Sequence, residues 1–452
     1  MTTIPLLGPL PLARTVAWHG GRPISAGSLQ ADAQALAARL PEGQPVNLCQ
    51  DRYAFAVGLM AALLRGQACL MPPNALPDTL ERLRRPDRDT CALVDREGCD
   101  AGTLPRLVVA HDPTLAPALQ QPSIDADAEA LFLMTSGSTG DPQPHAKRWG
   151  PLQVNIAGEA ERIAALMGWP SLQGLALVAT VPPQHSYGLE SSVLLALLGG
   201  AAFDTGRPFF PADIADALAR LPRPRALVTT PFHLKTLLQA GVPLPPTDLV
   251  LSATAPLSPQ LAAAAEAALQ GALIEIYGCT EAGQVAARRT TAGDRWTTLG
   301  ALRLQPIAGD ADGRCTVHGG HVLEPTVLAD VLELDDAQHF RLLGRANDLI
   351  HVAGKRSSLA HLNYHLNRIP GVDDGAFWLP GADGEQVARL VAFVVAPTLG
   401  AAQVIDALRP LVEAPFLPRR VVHVDALPRE ATGKLTTRAL ETFARGRLEP
   451  RT

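Results

Sequence analysis

The chain has 452 residues, 47% of them hydrophobic and 4% aromatic, with a formal net charge of -5 at pH 7. That length exceeds one ordinary core and predicts two or more domains. The negative balance argues against a protein held to nucleic acid by a basic surface, and no apolar run reaches the roughly 20 residues of a membrane helix.

Taken in order, 30–40 reads as an Ala/Leu helix, 45–49 as a short strand, 54–64 as a helix and 67–71 as a buried strand. Strand, helix, strand at this spacing predicts a βαβ unit and a parallel sheet. The pattern recurs. Strands are expected at 92–94, 107–109, 175–181, 226–229, 249–252 and 273–277, and helices at 191–198, 233–239 and 259–269. After Ile307 short alternating runs and turns predict antiparallel sheet. From about Asn347 onward, a helix at 359–368, a strand at 390–396, a helix at 402–412 and a strand at 420–424 predict a small α+β domain. The expected fold class is therefore α/β. It has a large N-terminal domain of layered, mostly parallel sheets over 1–347, with a small antiparallel subdomain, and a small mobile C-terminal domain over 348–452.

The cysteines, Cys49, Cys69, Cys91, Cys99, Cys279 and Cys315, form no Cys-x-x-Cys pair. Several lie in apolar runs, which predicts buried, reduced thiols in a cytoplasmic protein. Residues 1–13 carry three prolines and no basic n-region, so they make a poor signal peptide.

The most informative stretch is 131–147, Leu-Phe-Leu-Met-Thr-Ser-Gly-Ser-Thr-Gly-Asp-Pro-Gln-Pro-His-Ala-Lys. An apolar run ending near Thr135 gives way to the hydroxyls of Thr135, Ser136, Ser138 and Thr139. Gly137 and Gly140 let the backbone bend so that N–H groups can face one concavity, a shape that binds phosphate. It is not the P-loop, which needs Gly-Lys-Ser/Thr after its spacer. The same composition also suits a plain surface turn. Lysine usage adds weight. Of 39 Lys and Arg, the lysines are Lys147, Lys235, Lys355 and Lys434. Lys147 closes the hydroxyl stretch, and two others follow glycines near the C-terminus. Lysine is a flexible point charge suited to a moving phosphate or carboxylate. Lys235 reads as chance usage.

Further motifs follow in order: Tyr277-Gly-Cys-Thr-Glu281 after a strand, Ala329-Asp330, Gly344-Arg-Ala-Asn-Asp-Leu-Ile350, Gly354-Lys-Arg356 and Leu427-Pro-Arg-Glu-Ala-Thr-Gly-Lys434. On these residues the chain resembles the adenylate-forming superfamily of acyl-CoA synthetases, non-ribosomal-peptide adenylation domains and luciferases, over roughly 16–440. The resemblance implies that ATP and a carboxylic acid react to an acyl-adenylate with loss of pyrophosphate, followed by transfer to a phosphopantetheine thiol. It implies that Thr135, Ser136, Gly137, Ser138, Thr139 and Gly140 hold the β- and γ-phosphates. Tyr277 with Gly278 would stack on adenine, which Ser252, Ala253, Thr254 and Ala255 would line. Thr280 would bond the α-phosphate and Glu281 would reach Mg²⁺. Asp330 would accept from the ribose hydroxyls, and Arg345 and Arg356 would touch the nucleotide. Lys434 would bridge the acid and the adenylate, and His185 would stand beside the acyl pocket. Asn347 would be the hinge of a domain rotation that withdraws Lys434 and brings Gly354 toward a thiol channel.

Two departures stand out. The family's phosphate-loop lysine is Gln143 here, and Lys147 is the expected substitute. The hinge aspartate position holds Asn347. The stretch Val181-Pro-Pro-Gln-His-Ser-Tyr-Gly-Leu-Glu190, with the hydroxyl loop, is similar to ligases of xanthomonadin and aryl-polyene pigment clusters. That similarity implies a hydroxybenzoate-like aryl acid and an acyl carrier protein as acceptor, with free CoA as the alternative. A catalytically weak nucleotide-binding paralogue is the reading of another class, fed by Gln143. His318-Gly-Gly-His321 and the pair His361 and His365 have metal-like spacing but lack cysteine partners, so zinc is set aside.

Overall fold

The structure, a computed structural model, describes residues 2–448 apart from 73, 84–88, 137–141, 311–312, 346–348, 353–354, 381–388 and 430–434. Among the described residues the first sheet has the strand order Pro142–Arg148, Glu129–Ser136, Cys69–Met71, Gln44–Asn47, Thr90–Val94, Arg106–Val108. Its strands run parallel except for Pro142–Arg148, which returns antiparallel to Glu129–Ser136. The second sheet has a parallel centre built from Thr15–His19, Ala202–Asp204, Ala176–Ala179, Arg225–Thr229, Leu249–Ser252 and Ala272–Cys279. These strands are short apolar runs buried along nearly their whole length, as expected when helices cover both faces.

From Gly283–Arg289 onward the same sheet continues antiparallel, through Arg295–Thr298, His339–Arg345, Val322–Leu334, Arg314–Gly319 and Arg303–Pro306. Here exposed and buried positions intermix, so one face meets water. The largest apolar cluster draws Leu93 and Leu131 from the first sheet and Leu177, Val228, Leu251 and Ile274 from the second. The helices Arg52–Leu64 and Trp149–Met167 supply much of the packing between them.

A smaller α+β part follows. Asp374–Trp378, Val391–Val395 and Arg420–His423 form a sheet, covered by the helices Leu359–Leu366, Ala401–Leu408 and Thr437–Leu448. It has its own apolar clusters around Phe377 and Phe393. Lys235, which reads as chance usage in sequence, donates to the Asp373 carbonyl, and Gln260 Nε2 donates to the Arg368 carbonyl at 3.0 Å. These bonds tie the large part to the small one.

The helices Trp149–Met167, Pro211–Arg220 and Thr437–Leu448 are not among the elements expected from sequence, and two of the expected elements differ for a clear physical reason. The first helix spans Ala26–Ala37, starting earlier because Ser25 caps it by accepting from the Ser28 N–H. The apolar helix expected at 191–198 is instead the short helix Ser186–Gly188, a π-helical turn over Leu189–Leu194 and the helix Leu195–Leu198. The reason is polar. Glu190, Ser191 and Ser192 are buried and each must reach a partner, and widening the turn turns their side chains toward three different neighbours. All six cysteines are free thiols, four of them buried. Among the described residues no helix is long and apolar enough to cross a membrane.

Candidate active site

The central strands and their antiparallel flank carry several of the residues that sequence singled out. The strand Ala272–Cys279 carries Tyr277, and a bulge between Tyr277 and Gly278 lets the chain turn back into Gly283–Arg289. Glycine is required at 278, because a Cβ there would overlap the Gly283 carbonyl. Tyr277 is buried, its ring 5.8 Å from those of Trp296 and Phe340. Its hydroxyl donates to Asp330 Oδ2 at 2.8 Å. Asp330 lies on Val322–Leu334 directly opposite Arg345 on His339–Arg345. Thus Tyr277 and Asp330, separate in sequence and on non-adjacent strands, are joined by a hydrogen bond, while Asp330 and the backbone of Arg345 pair on adjacent strands.

Ser252 ends Leu249–Ser252, in register with Glu275 on the neighbouring strand. Its Oγ is buried without a hydrogen-bond partner. After buried Ala253 the chain surfaces at Thr254 and Ala255, and Thr254 holds φ at 78°. A β-branched residue there is a true outlier, the kind of local strain that clusters at binding sites.

Thr280 and Glu281 form the turn between the strands Ala272–Cys279 and Gly283–Arg289, with Glu281 exposed. Lys147, on Pro142–Arg148, donates from Nζ to the Glu281 carbonyl at 3.2 Å. This joins the hairpin bearing Thr135 and Ser136 to the Thr280–Glu281 turn. Thr135 pairs with Gln143 and Ser136 with Pro142 in that hairpin. Of Thr135, Ser136, Gln143, Arg345 and Arg356 the backbone alone is described, with Arg356 opposite His351 in a two-stranded ribbon. Gly137, Ser138, Thr139, Gly140, Asn347, Gly354 and Lys434 lie outside the described residues. His185 is exposed at the N-cap of Ser186–Gly188, and its carbonyl accepts from the Leu189 N–H at 2.8 Å.

Sequence reasoning missed a buried polar layer beneath this turn. Glu190 accepts from Ser186 Oγ at 3.0 Å and is also bonded by the Asn155 amide and the Gln284 N–H. Burial pushes its carboxyl above the usual range, and the nearby charge of Lys147 pulls it back. Ser191 donates to Glu159 Oε1 at 2.6 Å and accepts from Gln284 Nε2 at 2.7 Å. Full burial pushes Glu159 up to about 8, against the hydrogen bonds from Ser191 and Gln284. His321 Nε2 lies 2.9 Å from the Ala282 carbonyl. A carbonyl only accepts, so Nε2 carries the hydrogen. Burial pulls the imidazole down to about 4. Glu190 ends the Val181 to Glu190 stretch and His321 belongs to the His-Gly-Gly-His set. Each was visible as a residue, but not its neighbours.

Arg52, fully buried at the start of its helix, braces the same region. It donates to the carbonyls of Ala179, Val181 and Gly206 and to Ser192 Oγ. It thereby fixes the strand end that leads to His185.

The donor set suits an adenine nucleotide with a hard cation. An aromatic ring beside a carboxylate matches a base and a ribose diol, and the unpartnered Ser252 hydroxyl lies at the adjoining strand end. Exposed Glu281 beside Thr280 offers the oxygen donors that Mg²⁺ prefers.

Comparisons with known proteins bear on the family and the fold. The AMP-binding enzyme family matches residues 13–309. A 4-coumarate–CoA ligase of Rhodobacter capsulatus is 32% identical over 311 residues, covering 68% of this chain and 74% of the relative. Among solved structures, the anthranilate CoA ligase AuaEII in complex with anthranoyl-AMP superposes with a TM-score of 0.75 at 15% identity, covering 98% and 97% of the two chains. ATP-bound MatB from Rhodopseudomonas palustris superposes with a TM-score of 0.73 at 19% identity, covering 97% of each chain. At such identities the two structures show a shared two-domain fold.

Proposed function

This chain belongs to the AMP-binding enzyme family, and from that premise we propose that it joins an aryl carboxylic acid to the thiol of CoA through an acyl-adenylate. It is an AMP-forming ligase: ATP activates a carboxylic acid, and pyrophosphate leaves. The observation that carries the nucleotide half is the Tyr277–Asp330 hydrogen bond with Arg345 across the strand pair. In this reading Tyr277 packs on adenine, lined by 252–255, and Asp330 accepts from the ribose. The stretch 135–140 holds the leaving phosphates. Thr280 bonds the α-phosphate, and Glu281 would hold Mg²⁺, which when bound would neutralise phosphate charge.

The acid partner approaches as an anion, so the site must supply positive charge where two anions meet. Lys434 fills that role in this reading, entering for adenylation and withdrawing for thiol transfer as the small domain turns near Asn347. His185 flanks the acyl pocket. The aryl acid and the CoA thiol are supported by the 4-coumarate–CoA ligase, whose name states both. That support favours CoA over the carrier protein that the sequence stretch 181–190 suggests.

The test is pyrophosphate release across benzoates, cinnamates and fatty acids, followed by addition of CoA or a pantetheinylated carrier protein. Release with an aryl acid and transfer to CoA is expected. Transfer to carrier protein alone would restore the pigment-type acceptor. A Lys434→Ala variant is expected to lose adenylation yet form thioester from supplied adenylate.

A further inference from the structure

The turn that presents Thr280 and Glu281 is held at consecutive carbonyls by side chains from two remote elements. Lys147 Nζ donates to the Glu281 carbonyl at 3.2 Å from the hairpin strand Pro142–Arg148. His321 Nε2 donates to the Ala282 carbonyl at 2.9 Å from the turn between Arg314–Gly319 and Val322–Leu334. Inside the turn the Ala282 N–H meets Cys279 Sγ at 3.4 Å. Just beyond it, Gly283 takes φ 76°, and a Cβ there would stand 3.1 Å from Asn155 Nδ2, 3.4 Å from His321 Nε2 and 3.6 Å from Glu190 Oε1. Two donors thus hold the carbonyls of the turn, and His321, a buried amide and a buried carboxylate crowd Gly283 just beyond it.

We propose that Lys147 and His321 are positioning residues for the Thr280–Glu281 turn. The proposal rests on the reading that Thr280 and Glu281 serve the nucleotide and its cation. Lys147 then acts through a carbonyl, not on a phosphate, and the missing lysine at Gln143 is not replaced by it. His321 acts as a neutral donor, so it needs no metal. Lys147 sits on the hairpin that carries Thr135 and Ser136, so the bond also ties that hairpin to the turn. A displacement of about 1 Å at such a point costs on the order of 100-fold in rate.

The experiment compares Lys147→Met, His321→Leu and His321→Gln in the full-length enzyme, with melting temperature as the check on folding. The first readout is amide hydrogen exchange of the 278–284 segment without ligand. Faster exchange is expected in Lys147→Met and His321→Leu, and near-normal exchange in His321→Gln, whose amide can still donate. The second readout is acid-dependent pyrophosphate exchange, where kcat is expected to fall about 10- to 100-fold with the KM for ATP within a few-fold. A rise in the KM for ATP with unchanged exchange of 278–284 in Lys147→Met would make Lys147 a phosphate ligand and overturn the proposal. Unchanged exchange and unchanged kcat in His321→Leu would overturn it as well. If the wild-type enzyme released no pyrophosphate with any acid, the proposed function would fail, while hydrogen exchange would still decide the clamp.

Discussion

The Tyr277 hydroxyl donates to Asp330 Oδ2 at 2.8 Å, although the two residues lie on strands separated by three others in the sheet. The bond spans the bend where the parallel centre gives way to the antiparallel flank. Trp296 and Phe340, from two of the intervening strands, pack against the Tyr277 ring and hold it in place. In the proposed nucleotide site a ring and a carboxylate are thus held side by side in advance, which would lower the ordering cost of binding.

Removing the two halves of this pair should have different effects. Tyr277→Phe keeps the ring and loses one charge-assisted hydrogen bond, about 1.5–3 kcal/mol at most. A modest rise in the KM for ATP is expected. Asp330→Ala also removes the ribose acceptor of the proposed site, and a rise of at least about 10-fold is expected, corresponding to about 1.4 kcal/mol or more. Pyrophosphate exchange against ATP concentration measures both. Equal KM values for Asp330→Ala and wild type would remove Asp330 from the nucleotide site.

Much of this was legible in sequence for a simple reason. Parallel strands buried on both faces are unbroken apolar runs, so 226–229 and 249–252 could be read almost to the residue. Tyr277, Thr280 and Asp330 stand in short motifs whose order is fixed by the chain. The polar layer beneath them could not be read. Asn155, Glu159, Glu190 and Gln284 come from three elements with no shared spacing, and within an apolar helix a single glutamate looks like an exposed position. Only tertiary contact shows that Glu190 faces inward. The same holds for His321, whose spacing to His318 is metal-like but is set aside for want of cysteine partners, and whose carbonyl contact no spacing could show.

Thr254 is a test of strain. Its φ of 78° is costly for a β-branched residue, on the order of 1–3 kcal/mol. Thr254→Gly relieves that cost and gives back roughly 1 kcal/mol to the more flexible unfolded chain. A melting temperature equal to or slightly above wild type is expected, where a glycine in a strand would lower it. If the strain shapes the adenine wall, the KM for ATP rises at the same time. A clear fall in melting temperature would mean that Thr254 makes contacts worth more than the strain.

Arg52 is expected to be among the costliest surface-independent substitutions. It is fully buried and donates to three carbonyls and one hydroxyl. Arg52→Met fills much of the volume but leaves those acceptors without their donor. Each unsatisfied buried group costs about 1–3 kcal/mol, partly relieved by relaxation. A loss of several kcal/mol in chemical denaturation is expected, with the Val181–His185 segment loosened first. A loss below about 1 kcal/mol would show that water reaches the carbonyls.

Glu159 makes stability depend on pH in the direction opposite to most carboxylates. Burial raises its folded-state value to about 8, against an ordinary value of 4.5. A raised value means that the folded state binds the proton more tightly than the unfolded state. Its contribution is therefore fully present below about 4.5 and is lost as pH rises through about 8. A shift of this size corresponds to a few kcal/mol across that window. Glu159→Gln keeps the shape, cannot ionise and still accepts from Ser191. It is expected to flatten the fall in stability between about pH 4.5 and pH 8, the window in which the unfolded state has lost the proton and the folded state still holds it. Denaturation midpoints measured at intervals across that window decide the matter. Parallel curves for the variant and the wild type would place the proton elsewhere in the layer, with Glu190 the next group to substitute.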